Sequence, residues 1–163
     1  LLGKLAANHC QIVVERLHIG ADLRLDVAGQ IADIFIGERH DRPGEHDLAA
    51  FGQAPSGANT VRQVYQAGWS QVGPARGLWE PEAVRRLQFR IEANGFLRGM
   101  VRRMVATMLL VGSAQMTPQG FQQVMQSREI RRAAPPAAAC GLSLLQVSYA
   151  EDSLHAPSRA AGG

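Results

Sequence analysis

The side chain that most invites a chemical role is Arg102. It lies in the run Asn94-Gly95-Phe96-Leu97-Arg98-Gly99-Met100-Val101-Arg102-Arg103, which leads into the longest apolar helical pattern of the chain. At 100° per residue, Phe96, Leu97, Met100, Val101, Met104, Val105 and Met108 share one broad face, as a helix packed on a sheet requires. The remaining strip holds Gly99, Arg102, Arg103 and Ala106. Gly99 and Ala106 flank Arg102 at three- and four-residue spacing, so another backbone or a ligand can approach closely there. A planar guanidinium in such a slot can bind a carboxylate or a phosphate through two parallel hydrogen bonds. The plainer alternative is a solvated arginine on the open edge of a core helix, and spacing alone leaves both readings standing.

Arg102 has company. Residues 80–132 carry nine arginines against four glutamates, whereas residues 1–50 carry five basic and eight acidic side chains. The net charge of +3 for 163 residues therefore hides a basic region around the central helix. Clustered arginines suit a phosphate backbone, although any one of them could simply keep the surface soluble. A second candidate is the near-repeat Gly37-Glu38-Arg39-His40-Asp41 and Gly44-Glu45-His46-Asp47, which reads as a loop around Arg42-Pro43. It offers no His-x-x-x-His pair and no cysteine, so solvated charge is the reading and no metal is expected. Cys10 and Cys140 stand far apart without a second cysteine nearby, as free thiols of a reducing cytoplasm do. No apolar run is long enough to span a bilayer. The start, Leu1-Leu2-Gly3-Lys4, has neither a signal-peptide layout nor an initiator methionine, which suggests a fragment.

The elements that would position these residues follow from patterning. Residues 11–17 read as a strand or half a helix. Leu23, Val27, Ile31, Ile34 and Phe35 predict a helix over 23–36. Thr60 to Val72 and Leu87 to Ala93 predict two strands, antiparallel to each other, with a turn at Gly73-Pro74. After a turn at Asn94-Gly95 comes a helix from about Phe96 to Val111, closed by Gly112. Thr117-Pro118 caps a further helix with Phe121, Val124 and Met125 buried, and Arg128, Arg131 and Arg132 follow its end. Residues 133–139 form an Ala/Pro loop, residues 141–149 a last strand, and residues 150–163 a disordered tail. The expected order of helix, strand, strand, helix, helix, strand is an α+β fold, with helices on one face of a mainly antiparallel sheet.

Four stretches, in order, carry a family resemblance. Ala93-Asn94-Gly95-Phe96-Leu97-Arg98-Gly99-Met100-Val101-Arg102 resembles the A-N-x-F-[LV]-x-H-M-V-R signature of the bacterial tRNA pseudouridine synthase A family. Gly44-Glu45-His46-Asp47-Leu48-Ala49-Ala50-Phe51 is similar to its G-x-H-D-F-x-x-F. The strand from Thr60 to Trp69 and the closing Gly141-Leu142-Ser143-Leu144-Leu145-Gln146-Val147-Ser148-Tyr149 match the family's corresponding segments. Resemblance spans about residues 25–150, leaving 1–24 as a poorly matching N-terminal extension and 151–163 as a tail. It implies a cytoplasmic, homodimeric isomerase that needs no cofactor or metal and converts uridine to pseudouridine in the anticodon arm of tRNA. The nucleophile implied is an aspartate in a G-R-T-D motif, which does not occur in residues 1–163.

The chain therefore resembles a C-terminal half, one wall of an active site. Arg102 aligns with the arginine that pairs with the nucleophilic aspartate, and Leu142 with a leucine lining the uracil pocket. Arg98, Arg103, Arg131 and Arg132 are implied RNA contacts. An RNA-binding module without chemistry, or a non-functional remnant with an uncovered sheet face, are the alternatives. Departures from the pattern include Gly99 for His, Leu48 for Phe, Ile130 for Arg and Ala138 for Pro.

Overall fold

The structure, a computed structural model, describes residues 9–18, 44–54, 57, 59–72 and 86–148. Its elements are β1 (His9–His18), β2 (Gly44–Asp47), β3 (Val61–Val72), β4 (Arg86–Ala93), α1 (Met100–Gly112), α2 (Pro118–Ser127) and β5 (Leu142–Ser148). Single 3₁₀ turns cover Ile130–Arg132 and Ala139–Gly141. The strands form one sheet in the order β2-β3-β4-β1-β5, and every neighbouring pair is antiparallel. This is the expected α+β arrangement. The predicted helix over 23–36, the Gly73-Pro74 turn and the 150–163 tail lie outside the described residues.

One apolar layer joins the helices to the sheet. Phe89, Ile91 and Ala93 of β4 enter it at the two-residue period of a strand, and Val64 and Ala67 of β3 both reach it because the register shifts between Val64 and Gln66. Met100, Met104, Val105 and Met108 of α1 are completely buried above them. Phe121 of α2 stacks on Phe51 with ring centroids 5.5 Å apart. Along β5 the layer thins out: Leu142 is half-buried, while Leu144, Leu145 and Val147 are exposed. The opposite face of the sheet is polar. A row of register partners, Gln66, Glu92, Gln11 and Gln146, crosses β3, β4, β1 and β5.

Of the two readings open for 11–17, the structure has the strand, and β1 lies between β4 and β5. Three details depart from the sequence expectation. The second half of the charged near-repeat is the short strand β2, paired with residues 61–64 of β3, and not a loop. The central helix begins at Met100 rather than Phe96, because the left-handed residue is Gly99 (φ 77°) and not the Asn94-Gly95 pair. Gly112 is the last helical residue and Ser113 follows as the cap. Asn94 tethers β4 to β3 instead: its N–H donates to the Gln63 carbonyl (3.0 Å) and its Oδ1 accepts from the Gln63 N–H (3.1 Å). The second helix starts as expected, with the Thr117 hydroxyl accepting from the Gly120 N–H at 3.0 Å.

Candidate functional site

Arg102 occupies the first turn of α1 and is half-buried on the strip between Gly99 and Ala106. A second backbone approaches the strip at Arg102 itself. The Arg102 Nε–H donates to the Ala137 carbonyl at 2.6 Å, and the Ala137 N–H donates back to the Arg102 carbonyl at 3.1 Å. The sequence allowed a close backbone there but did not say which one; it is the Ala/Pro loop of the same chain. With Nε occupied, the two terminal nitrogens still point away as a fork, and among the described residues neither has a partner. A carboxylate or phosphate can meet that fork end-on with two parallel hydrogen bonds.

The loop runs antiparallel to α1. Ala134 meets the helix at Thr107 and Ala137 meets it at Arg102. Thr107 is fully buried; its hydroxyl donates to the Arg103 carbonyl (2.7 Å) and accepts from the Ala134 N–H (3.1 Å). Prolines 135 and 136 favour an extended backbone between the two contacts. Beyond Ala137 the chain makes the 139–141 turn and enters β5 at Leu142, which packs against the edge of the core. Arg102 and Leu142 are thus joined by one short, anchored segment.

Arg98 is exposed just ahead of α1, and its backbone pairs in both directions with Gln53 (2.9 and 3.3 Å). Arg103 is half-buried, with its N–H on the Gly99 carbonyl. Arg131 and Arg132 are exposed on the 3₁₀ turn immediately before the loop, and Arg131 is paired with Glu129 at 3.2 Å. Arg128, also a candidate phosphate contact, is instead committed to Asp47 at 2.9 Å.

Asp47 works as a structural hub. Its Oδ1 accepts from the Thr60 hydroxyl (2.6 Å) and from the Ala49 N–H (3.1 Å), which binds β2 to the start of β3. The Thr60 hydroxyl holds its carboxyl below the usual value of 3.8, against a partial desolvation, with the Ala49 N–H and the Arg128 charge adding to the effect. Among the described residues no group of three or more His, Cys, Asp or Glu could hold a metal ion. No described helix is long and apolar enough to cross a membrane. Cys140, on the turn before Leu142, is a free and exposed thiol.

Sequence reasoning missed Thr107 and Ala137. A threonine four residues after Arg103 on an otherwise apolar face was the available signal for the first. Nothing in the sequence marks Ala137, because its backbone, not its side chain, makes the contact.

A family model described as tRNA pseudouridine synthase matches residues 43–150, which takes in β2 to β5, both helices and the Arg102–Ala137 contact. The chain belongs to the tRNA pseudouridine synthase family. It is similar to the tRNA pseudouridine synthase A of Chloroflexus aurantiacus, 42% identical over 126 residues, covering 77% of this chain and 41% of the relative. The protein of the same name from Verminephrobacter eiseniae is 35% identical over 131 residues, 77% of this chain and 44% of its own length. That of Bdellovibrio bacteriovorus is 35% identical over 94 residues, 58% and 32% of the two chains. The chain thus spans less than half the length of these relatives.

Proposed function

We propose that this chain forms the C-terminal wall of a tRNA pseudouridine synthase active site and binds tRNA through its arginines. In this reading the whole enzyme isomerises uridine in the anticodon arm without a cofactor. The nucleophilic aspartate comes from outside residues 1–163, and the working protein is a cytoplasmic homodimer. The observation that carries the reading is the Arg102 guanidinium, held at Nε by the Ala137 carbonyl with its terminal fork unpartnered among the described residues. A nucleophilic carboxylate in a closed cleft needs such a cation to stay ionised and aligned. The anchored loop leads from this fork to Leu142, which supplies apolar contact to a base taken out of its stack. Arg98, Arg103, Arg131 and Arg132 hold phosphates and set register rather than sequence choice.

The test is a filter-binding titration of the chain with tRNA at several salt concentrations. Affinity should fall steeply with salt. Replacing Arg131 and Arg132 together by Gln should flatten the log–log slope by roughly 1.5 if both touch phosphate. Binding that ignores salt, or no binding at all, would rule out the RNA-facing role.

A further inference from the structure

Thr107 has no part in the reading above, yet among the described residues it is the polar side chain fully buried in the apolar layer. A polar group in such a place needs a reason, since burying it costs free energy unless it is fully hydrogen-bonded. Both capacities of its hydroxyl are used. The proton goes to the Arg103 carbonyl of its own helix, and a lone pair takes the Ala134 N–H of the loop. The first bond fixes the direction of the second. A hydroxyl proton committed to the helix backbone leaves the lone pairs facing out, toward the loop.

Three residues further on, the same loop offers the Ala137 carbonyl to the Arg102 Nε–H at 2.6 Å and donates the Ala137 N–H to the Arg102 carbonyl at 3.1 Å. Thr107 lies five helical steps from Arg102, a rise of about 7.5 Å. Ala137 lies three extended steps from Ala134, a reach of roughly 10 Å. The two spans are comparable, so holding one end of the loop on the helix sets the height of the other. The intervening Pro135-Pro136 pair makes that segment stiff, with φ fixed at two successive positions and no N–H to pair elsewhere. Ala133 beside it is buried and Ala134 half-buried. A flexible loop would let the Ala137 carbonyl wander even with Ala134 held; this one transmits the constraint.

We propose that Thr107 is a positioning residue: by holding the Ala134 N–H it keeps the 134–137 segment at the height where the Ala137 carbonyl locks the Arg102 guanidinium, leaving only the terminal fork free. This deepens the reading of Arg102 as an active-site cation and depends on it for its functional meaning. The mechanical link itself does not depend on RNA.

The link can be measured in the 163-residue chain by NMR, through solvent exchange of the Arg102 Nε–H and the Ala134 and Ala137 amides. Thr107→Val keeps the shape and removes the hydroxyl. It should speed exchange at all three sites by about tenfold or more, the scale of one buried N–H left unpaired. Thr107→Ser should restore values near those of the parent. Ala134→Pro removes the loop's donor while leaving Thr107 untouched, and should loosen the Arg102 Nε–H in the same way, which covers the case that Thr107→Val does not fold. The Arg131 Nε–H, paired with Glu129, serves as the unaffected control. An Arg102 Nε–H unchanged in folded Thr107→Val or in Ala134→Pro would overturn the proposal, as would a Thr107→Ser that behaves like Thr107→Val. Because no RNA is needed, a chain that fails to bind tRNA would refute the functional reading while these measurements still decide the link.

Discussion

Gly52 is where a single methyl group should do the most damage for its size. It is buried between Phe51, which stacks on α2, and Gln53, which pairs with Arg98. Its φ lies outside the left-handed region, so only space forbids a side chain. A Cβ at this position would sit 2.6 Å from the Leu97 Cβ, 3.0 Å from the Arg98 carbonyl oxygen and 3.2 Å from the Met100 Cβ. All three neighbours are on or beside backbone, so they cannot swing aside as the tip of a long side chain could. Gly52→Ala must push the 51–53 segment away from 97–100 and strain both Gln53–Arg98 bonds. Overpacking of this kind combined with weakened backbone bonds costs about 2–4 kcal/mol. For a chain of this size that lowers the melting temperature by roughly 5–15 °C. Thermal unfolding followed by circular dichroism measures it. A shift within about 2 °C of zero, below even 1 kcal/mol, would refute the tight fit inferred between these segments. Such a result would also remove the support on which Arg98 and the start of α1 are placed.

Two further outcomes are expected. Thr60→Val removes the hydroxyl that chiefly lowers the Asp47 pKa. A depressed carboxyl contributes stability above its unfolded value near 3.8 that is lost as pH falls through the lower folded value, so the variant should be less stable than the parent at neutral pH and converge with it in acid; parallel stability curves down to low pH would contradict this. Leu144 and Leu145 are exposed on β5, an edge strand of the sheet, and lysine at both should reduce self-association in sedimentation experiments; equal association by the parent and the variant would show that this edge is not sticky.

Much of the fold was legible because its strands and helices carry clean periods. β4 alternates Leu87, Phe89 and Ile91 inward with Gln88, Arg90 and Glu92 outward, and the Met100, Met104 and Met108 series marks one face of α1. β2 escaped notice because four residues of Gly, Glu, His and Asp hold no alternation; it is a strand by virtue of its partner β3 and the Asp47 ties. β1 reads ambiguously because Ile12, Val13 and Val14 are a continuous apolar run, which shows no period and fits a strand or a helix alike. The start of α1 was misplaced because Phe96 and Leu97 are apolar in helical phase with Met100, although a left-handed Gly99 separates them from the helix. At the candidate site, Arg102 could be singled out by its small neighbours and the motif around it. Its anchoring could not, since it depends on a backbone carbonyl thirty-five positions away in a loop of alanines and prolines.

The central claim, that Arg102 is the cation of an active-site wall completed from outside this chain, is open to one direct measurement. The chain would be mixed with the N-terminal part of the C. aurantiacus relative, and release of tritium from tRNA labelled at uracil C5 would be followed. The account predicts release with the parent chain and none with Arg102→Ala, while tRNA binding by the two stays alike. Full activity with Arg102→Ala, or no release by the parent although both parts are folded and bind tRNA, would contradict it.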